Sequence, residues 1–288
     1  MKDRYINPFT GFGFKRIFGE EPNKDLLIDF LNSLLRGKET IKDLTYSNSE
    51  HQGRLEIDRK AVFDLYCVNE KGEKFIVEIQ KTKQKFFKDR SVYYSTFPIM
   101  KQAEQGEWTF ELKAVYMIAI LDFTFDDEDR DKTVVSHVQL MDTRTRRIFY
   151  DKLAFVYLQM PNFNKGEDEL EDQFDKWLYV FKNLHKLNSR PQRLQERVFE
   201  KLFSIAEIAK FSPDEAQEYE NSLMVYRDLK NSIDTARAEG KAEGRAEGEA
   251  EKAFNTANVM IRNGEKDEKI VLYTGLTIEQ VRELRNRN

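Results

Sequence analysis

Asp64, Glu78 and Gln80 stand inside otherwise apolar, β-branched runs, AVFDLYCVNEKGEKFIVEIQ over residues 61–80. Carboxylates and amides are hard oxygen donors, and two carboxylates brought close together repel unless a divalent cation sits between them. Directly after them comes KTKQKFFKDR, residues 81–90, in which Lys81, Lys83, Lys85, Lys88 and Arg90 face one acid, Asp89. The formal net charge is -4, so the chain has no blanket affinity for polyanions. Any contact with nucleic acid must come from a local basic patch such as this one.

The elements that position these groups are legible nearby. Glu70, Lys71 and Gly72 suit a three-residue hairpin loop, with Gly in the left-handed backbone conformation that such loops favour. A hairpin centred on Lys71 sets Val68 opposite Lys74, Tyr66 opposite Ile76, Asp64 opposite Glu78 and Val62 opposite Gln80. Strand alternation then projects Asp64, Glu78 and Gln80 from one face and Cys67 from the other, into a core. Two readings of the acidic face stand side by side: the wet side of an antiparallel sheet, or a metal site. A single cysteine forms no disulfide within one chain, and His51, His137 and His185 lack the spacing of zinc ligands.

Upstream, FKRIFGEEPNKDLLIDFLNSLLRG reads as a helix, an acidic turn and a second helix. Leu26, Leu27, Phe30, Leu31, Leu34 and Leu35 make the apolar stripe of that second helix, and Gly37 takes the C-cap. Residues 39–59 are polar. Downstream, residues 86–104 form a helix containing Pro98, and LKAVYMIAILDFTF forms a buried strand. KTVVSHVQLMDT and KLAFVYLQMP give two more strands around the turn-rich RTRRIFYD. That order predicts an α/β fold, a central sheet flanked by helices. Residues 166–235 are helical and amphipathic and form an extension on or beside a core of residues 1–165. AEGKAEGRAEGEAEK, within residues 236–252, is either a weak helix or a supple linker, since each of Gly240, Gly244 and Gly248 costs about 1 kcal/mol in a helix. Residues 253–288 form a small helical module with the outline of a helix-turn-helix, its last helix capped by Thr277 with Gln280 three residues on. No run approaches the roughly 18 apolar residues of a membrane span, and MKDRYINPF has no hydrophobic signal region. A cytoplasmic location is expected.

The order of an acid on one strand, Glu-x-Gln on the next and then a basic helix resembles the PD-(D/E)XK nucleases. NPFTGFGFKRIFGEEPNKDLLIDFLNSLL, FDLYCVNEKGEKFIVEIQ, RSVYYSTFPI and the closing YTGLTIEQVREL are similar to segments of that superfamily's transposase family, the recombination-promoting nucleases. The resemblance covers essentially the whole chain. It implies a restriction-endonuclease-like core, a mixed central sheet flanked by helices, with a helical C-terminal extension, and metal-dependent cleavage of DNA as an endonuclease. Asp64 and Glu78 would hold Mg²⁺ or Mn²⁺, and Gln80, where the superfamily usually has Lys, would orient the attacking water. Lys81, Lys83, Lys85, Arg90 and Tyr94 would contact DNA, with Lys83 the substitute cation. DNA is the expected partner, a homo-oligomer through the C-terminal helices is compatible, and neither a membrane nor an organic cofactor is expected. One departure stands out: where the family commonly has Asp before FKRIF, this chain has Gly11. The alternative to an active enzyme is therefore a weakened nuclease fold that binds DNA or protein.

Overall fold

The computed structural model describes residues 3–37, 40–47, 50–51, 61–103, 109–125 and 132–287. The amino-terminal helix α1 (Gly11–Phe18) starts where Thr10 Oγ1 accepts the Gly13 N–H, an N-cap that satisfies one of the helix's unpaired donors. Gly13 has no room for a side chain, since a Cβ there would lie 2.2 Å from the Asn7 carbonyl oxygen. Helix α2 (Lys24–Leu34) buries Leu26, Leu27, Phe30, Leu31 and Leu34 as the apolar spacing predicts, and Gly37 adopts φ 83° just beyond it.

The strands follow as β1 (Leu44–Tyr46), β2 (Glu50–His51), β3 (Ala61–Val62), β4 (Leu65–Asn69) and β5 (Lys74–Gln80). Helix α3 (Phe87–Met100) runs through Pro98 and leads to β6 (Val115–Leu121), β7 (Val135–Met141) and β8 (Ile148–Gln159). The main sheet has six strands in the order β1-β4-β5-β6-β8-β7, and β2 pairs with β3 separately. β5–β6 and β6–β8 are parallel, and the other pairs are antiparallel. Two differences from the sequence reading concern strands. The polar stretch 39–59, partly outside the described residues, contains β1 and β2. The turn-rich RTRRIFYD is half strand, because β8 begins at Ile148. Polar composition concealed both, since an edge strand has one face or one edge in water and needs no apolar run.

Each face of the sheet carries its own core. On one side Leu65, Cys67, Phe75, Val77, Ile79, Ile118 and Leu158 pack against α1, α2, α4 (Gln173–Asn183) and α5 (Arg197–Ile205). Trp177 of α4 anchors this layer: its indole Nε1–H donates to Asp29 at 2.6 Å and its ring packs edge-on to Phe30. On the other side Ile76, Met117, Ala119, Leu121, Phe155 and Tyr157 pack against Phe87 and Phe97 of α3. β5 and β6 are consequently buried on both faces, the arrangement that parallel strands require.

The long helix α6 (Pro213–Arg262) precedes α7 (Asp267–Thr274) and α8 (Ile278–Arg287). The described chain divides into compact units of residues Met1–Leu229 and Lys230–Asn288. In the second, Ala257, Ile261, Ile270, Leu276 and Val281 form a small core. There Gly275 turns the chain at φ 71°, and Thr277 and Gln280 exchange the two bonds of a capping box. Of the two readings of the Ala-Glu-Gly repeat, the helix is found: Gly240, Gly244 and Gly248 lie within α6, with open space where each Cβ would stand. Among the described residues, no helix is long and apolar enough to cross a membrane.

Candidate active site

The hairpin register is the one its turn dictates. Leu65 pairs with Val77, Tyr66 with Ile76, Cys67 with Phe75 and Val68 with Lys74, and Gly72 takes φ 82° in the loop. Asp64 meets Glu78 through a break in the strand, however, because β3 ends at Val62 and β4 starts at Leu65. At this bend the Asp64 carboxylate substitutes for a ladder carbonyl. The Ile79 N–H donates to Asp64 Oδ2 at 2.8 Å, and the Asp64 N–H donates to Glu78 Oε1 at 3.0 Å. Val62, expected opposite Gln80, pairs with Glu50 instead. Phe63 is also displaced from simple alternation. It joins Tyr66 on the α3 face and packs edge-on to Tyr94 with ring centroids 5.1 Å apart.

The acidic face is covered, which removes the wet-side reading. Glu78 is 6% exposed and Gln80 8%, because α3 lies over this side of the sheet, while Asp64 is half-buried. Burial, reinforced by the Asp64 charge, pushes the Glu78 carboxyl up to about 8, against the pull of the Asp64 N–H and of Arg90. Asp64 is raised by burial too, with the Ile79 N–H, Lys15, Lys81 and Arg90 drawing it back. Two acids held this way favour sharing a proton over carrying two charges.

The surrounding cations come from three elements. Lys81 follows directly on β5, half-buried; burial lowers its pKa while Asp64 attracts it. A strand continued by one residue would put Lys81 on the opposite face and leave Lys83 as the substitute cation, but β5 ends at Gln80 and alternation does not extend to Lys81. Lys83 and Lys85 are exposed. Arg90, on the first turn of α3, donates from Nη2 to Gln80 Oε1 and from Nη1 to Gln84 Oε1, and lies over the rings of Phe87 and Tyr94. Gln80 Nε2 donates to the Thr82 carbonyl at 2.9 Å. The Gln80 amide is thus tied at both ends, and one N–H remains to it.

Lys15 was not singled out from the sequence. An open cleft of about 670 Å³ is lined by Gly11 and Lys15 of α1, Ser47, Asp64, and Glu218 and Asn221 of α6. Lys15 stands 49 positions before Asp64 in the chain, and the one available signal was its place in the FKRIF segment that carries the family resemblance. Gly11 borders the same cleft, and a Cβ there would meet only Ser222 Oγ, at 3.7 Å. A second cleft, of about 640 Å³, is lined by Lys85, Arg90, Tyr93 and Tyr94. Tyr94 is half-buried between Phe63 and the Arg90 guanidinium, whereas Tyr93 is largely exposed.

The donor set fits a hard divalent cation. Among the described residues no cluster of three or more His, Cys, Asp or Glu is grouped to hold a metal ion, but Mg²⁺ keeps several waters and needs only one or two carboxylates. Asp64 and Glu78 each commit one oxygen to a backbone N–H, leaving Oδ1 and Oε2 without a hydrogen-bond partner among the described residues. A cation there would offset the burial that raises both pKa values and the Asp64 charge that adds to it at Glu78.

A two-faced mixed sheet with an acid pair at the end of its central hairpin is the architecture of a PD-(D/E)XK nuclease. The family model for the PD-(D/E)XK nuclease family transposases matches residues 8–236, and the chain belongs to that family. No curated protein and no solved structure matches it. Membership makes the protein nuclease-like and implies DNA as its substrate.

Proposed function

We propose that the protein is a divalent-metal-dependent DNA endonuclease, with Asp64 and Glu78 holding Mg²⁺ or Mn²⁺ and hydrolysing phosphodiester bonds. One observation carries the reading: two buried carboxylates, locked by reciprocal bonds to backbone N–H groups and held above their ordinary pKa values, face Lys15, Lys81 and Arg90. Such an arrangement weakens an apo sheet and suits a cation site. When bound, the cation supplies positive charge to the phosphoryl oxygens and acidifies an attacking water.

The residues around the pair divide the remaining work. Arg90, braced by Gln80 and Gln84, brings a fixed guanidinium to the scissile phosphate where the superfamily usually has Lys. Gln80 is then a positioning residue, orienting Arg90 and, through its remaining N–H, the water. Lys81 and Lys15 draw the Asp64 pKa back against its burial, and Lys83 and Lys85 contact the DNA backbone without reading sequence.

The test is plasmid nicking by the full chain in Mg²⁺ and Mn²⁺ titrations, with Asp64→Asn and Glu78→Gln beside wild type. Both amides preserve shape. Cleavage should fall by more than the ten- to hundredfold that loss of an outer-shell partner costs, while near-UV circular dichroism is unchanged. Equal nicking by all three proteins would sink the proposal. Gly11→Asp, for which the cleft has room, should lower the Mg²⁺ concentration needed.

A further inference from the structure

The far end of the sheet carries a second surface suited to nucleic acid. β8 pairs with β6 from Leu153 onwards only, so residues 148–152 extend beyond it and pair, through Leu140–Tyr150 and Met141–Ile148, with the end of β7 alone. The result is a two-stranded ribbon projecting from the sheet. Its loop is closed by bonds between Asp142 and Arg147 and between Arg146 N–H and the Asp142 carbonyl, while Asp142 Oδ1 accepts the N–H groups of Arg144 and Thr145. Three arginines, Arg144, Arg146 and Arg147, crowd this tip, all exposed and none in a salt bridge with a described residue. Arg146 adopts φ 55°, a left-handed conformation in which Gly or Asn costs less. A guanidinium is kept there against the backbone's preference.

Below the tip the ribbon presents apolar side chains to water: Phe149 is 82% exposed, Ile148 57%, and Leu140 and Met141 50% each. Scattered apolar residues on a surface need no explanation, but here both faces of one ribbon carry them beside a triple-arginine loop, Ile148 and its partner Met141 on one side and Phe149 on the other. We infer that this ribbon is a DNA-gripping arm, which holds the duplex away from the cleavage site. A two-stranded ribbon is of the width that the major groove admits, with the tip arginines placed to contact the flanking phosphates and base edges and the apolar side chains to meet thymine methyl groups. Glu78 is level with Ala119 and hence with Tyr157, nine positions from Ile148 along β8. At about 3.3 Å per residue that separates acid pair and tip by roughly 30 Å, close to one turn of duplex. A second copy of the chain docked by a two-fold contact on this tip would instead oppose arginine with arginine.

The inference rests on the DNA-cleaving reading and is tested apart from it. Binding of a fluorescent 30-bp duplex is measured in EDTA over a salt series, with wild type, the triple variant Arg144→Ala/Arg146→Ala/Arg147→Ala, Phe149→Ala, and a triple variant in the basic segment, Lys83→Ala/Lys85→Ala/Arg90→Ala. The arm variant should bind about tenfold more weakly and lose about 2 to 3 from the slope of log affinity against log salt. Phe149→Ala should weaken binding with the slope unchanged. Wild-type affinity and slope in the arm variant, with a loss in the basic-segment variant, overturn the arm and leave the nuclease reading intact. No binding by wild type overturns the arm, and the nuclease reading then stands or falls by plasmid nicking in Mg²⁺ and Mn²⁺. A change in oligomeric mass on arm substitution, with affinity retained, makes the ribbon a self-association surface and overturns the proposal.

Discussion

Two hairpins of one sheet treat charge in opposite ways. At the acid pair beside β4–β5, Glu78 is buried and Asp64 half-buried, each carboxylate accepts from a backbone N–H, and both are raised above their ordinary pKa values. In the β7–β8 ribbon, Arg144, Arg146 and Arg147 stand exposed to water. The same motif thus makes a chemical site where a helix covers it and a contact surface where nothing does. Covering matters because a charge interacts several-fold more strongly in a low-dielectric interior than in water.

The widest separation between the hairpins should be in packing. Phe63→Ala removes a side chain buried against Tyr66, Tyr94 and Phe97 and should destabilise the protein by about 3–5 kcal/mol. Phe149→Ala, in the exposed ribbon, should stay within about 0.5 kcal/mol of wild type. Chemical denaturation of both variants measures the difference, and equal losses would break the comparison.

A smaller separation should appear with pH. Glu78 titrates near 8 in the folded protein against an ordinary 4.5, so between those values the folded chain holds more protons than the unfolded one. Metal-free stability contributed by this proton is therefore full below about pH 4.5 and lost as pH rises through 8. Denaturation in EDTA at pH 5.5 and 8.5 should show a fall of a few kcal/mol in wild type that is largely absent in Glu78→Gln. Substituting the ribbon arginines should leave the pH dependence as it is. Addition of Mg²⁺ at pH 8.5 should restore part of the loss in wild type alone.

The smallest test exchanges turn chemistry. Both loops hold a residue in the left-handed region, Gly72 in the first and Arg146 in the second. Gly72→Ala should cost about 1 kcal/mol, and Arg146→Gly should gain a similar or smaller amount, both read from denaturation midpoints. A loss of stability in Arg146→Gly would show that its guanidinium supports the loop itself.

What the sequence determined by itself was local. The hairpin register followed from a three-residue loop ending in Gly72, the α2 stripe from its spacing, and the Thr277–Gln280 cap from residues three apart, because each is fixed by backbone geometry over a few positions. The family resemblance added that the sheet is mixed, which no local pattern contains. Tertiary structure alone decided the rest. It decided that the acidic face is covered, since α3 returns over a strand pair whose own pattern fits a wet face equally well. It turned Phe63 out of alternation, because the Asp64 carboxylate replaces a ladder carbonyl and bends the chain. It set Lys15 and Gly11 along the same cleft as Asp64, across 49 and 53 positions of sequence, and it tied Gln80 to Arg90. Such relations arise from loop closure and packing between distant segments, and the pKa values that they produce depend on burial, which exists only once the chain has folded.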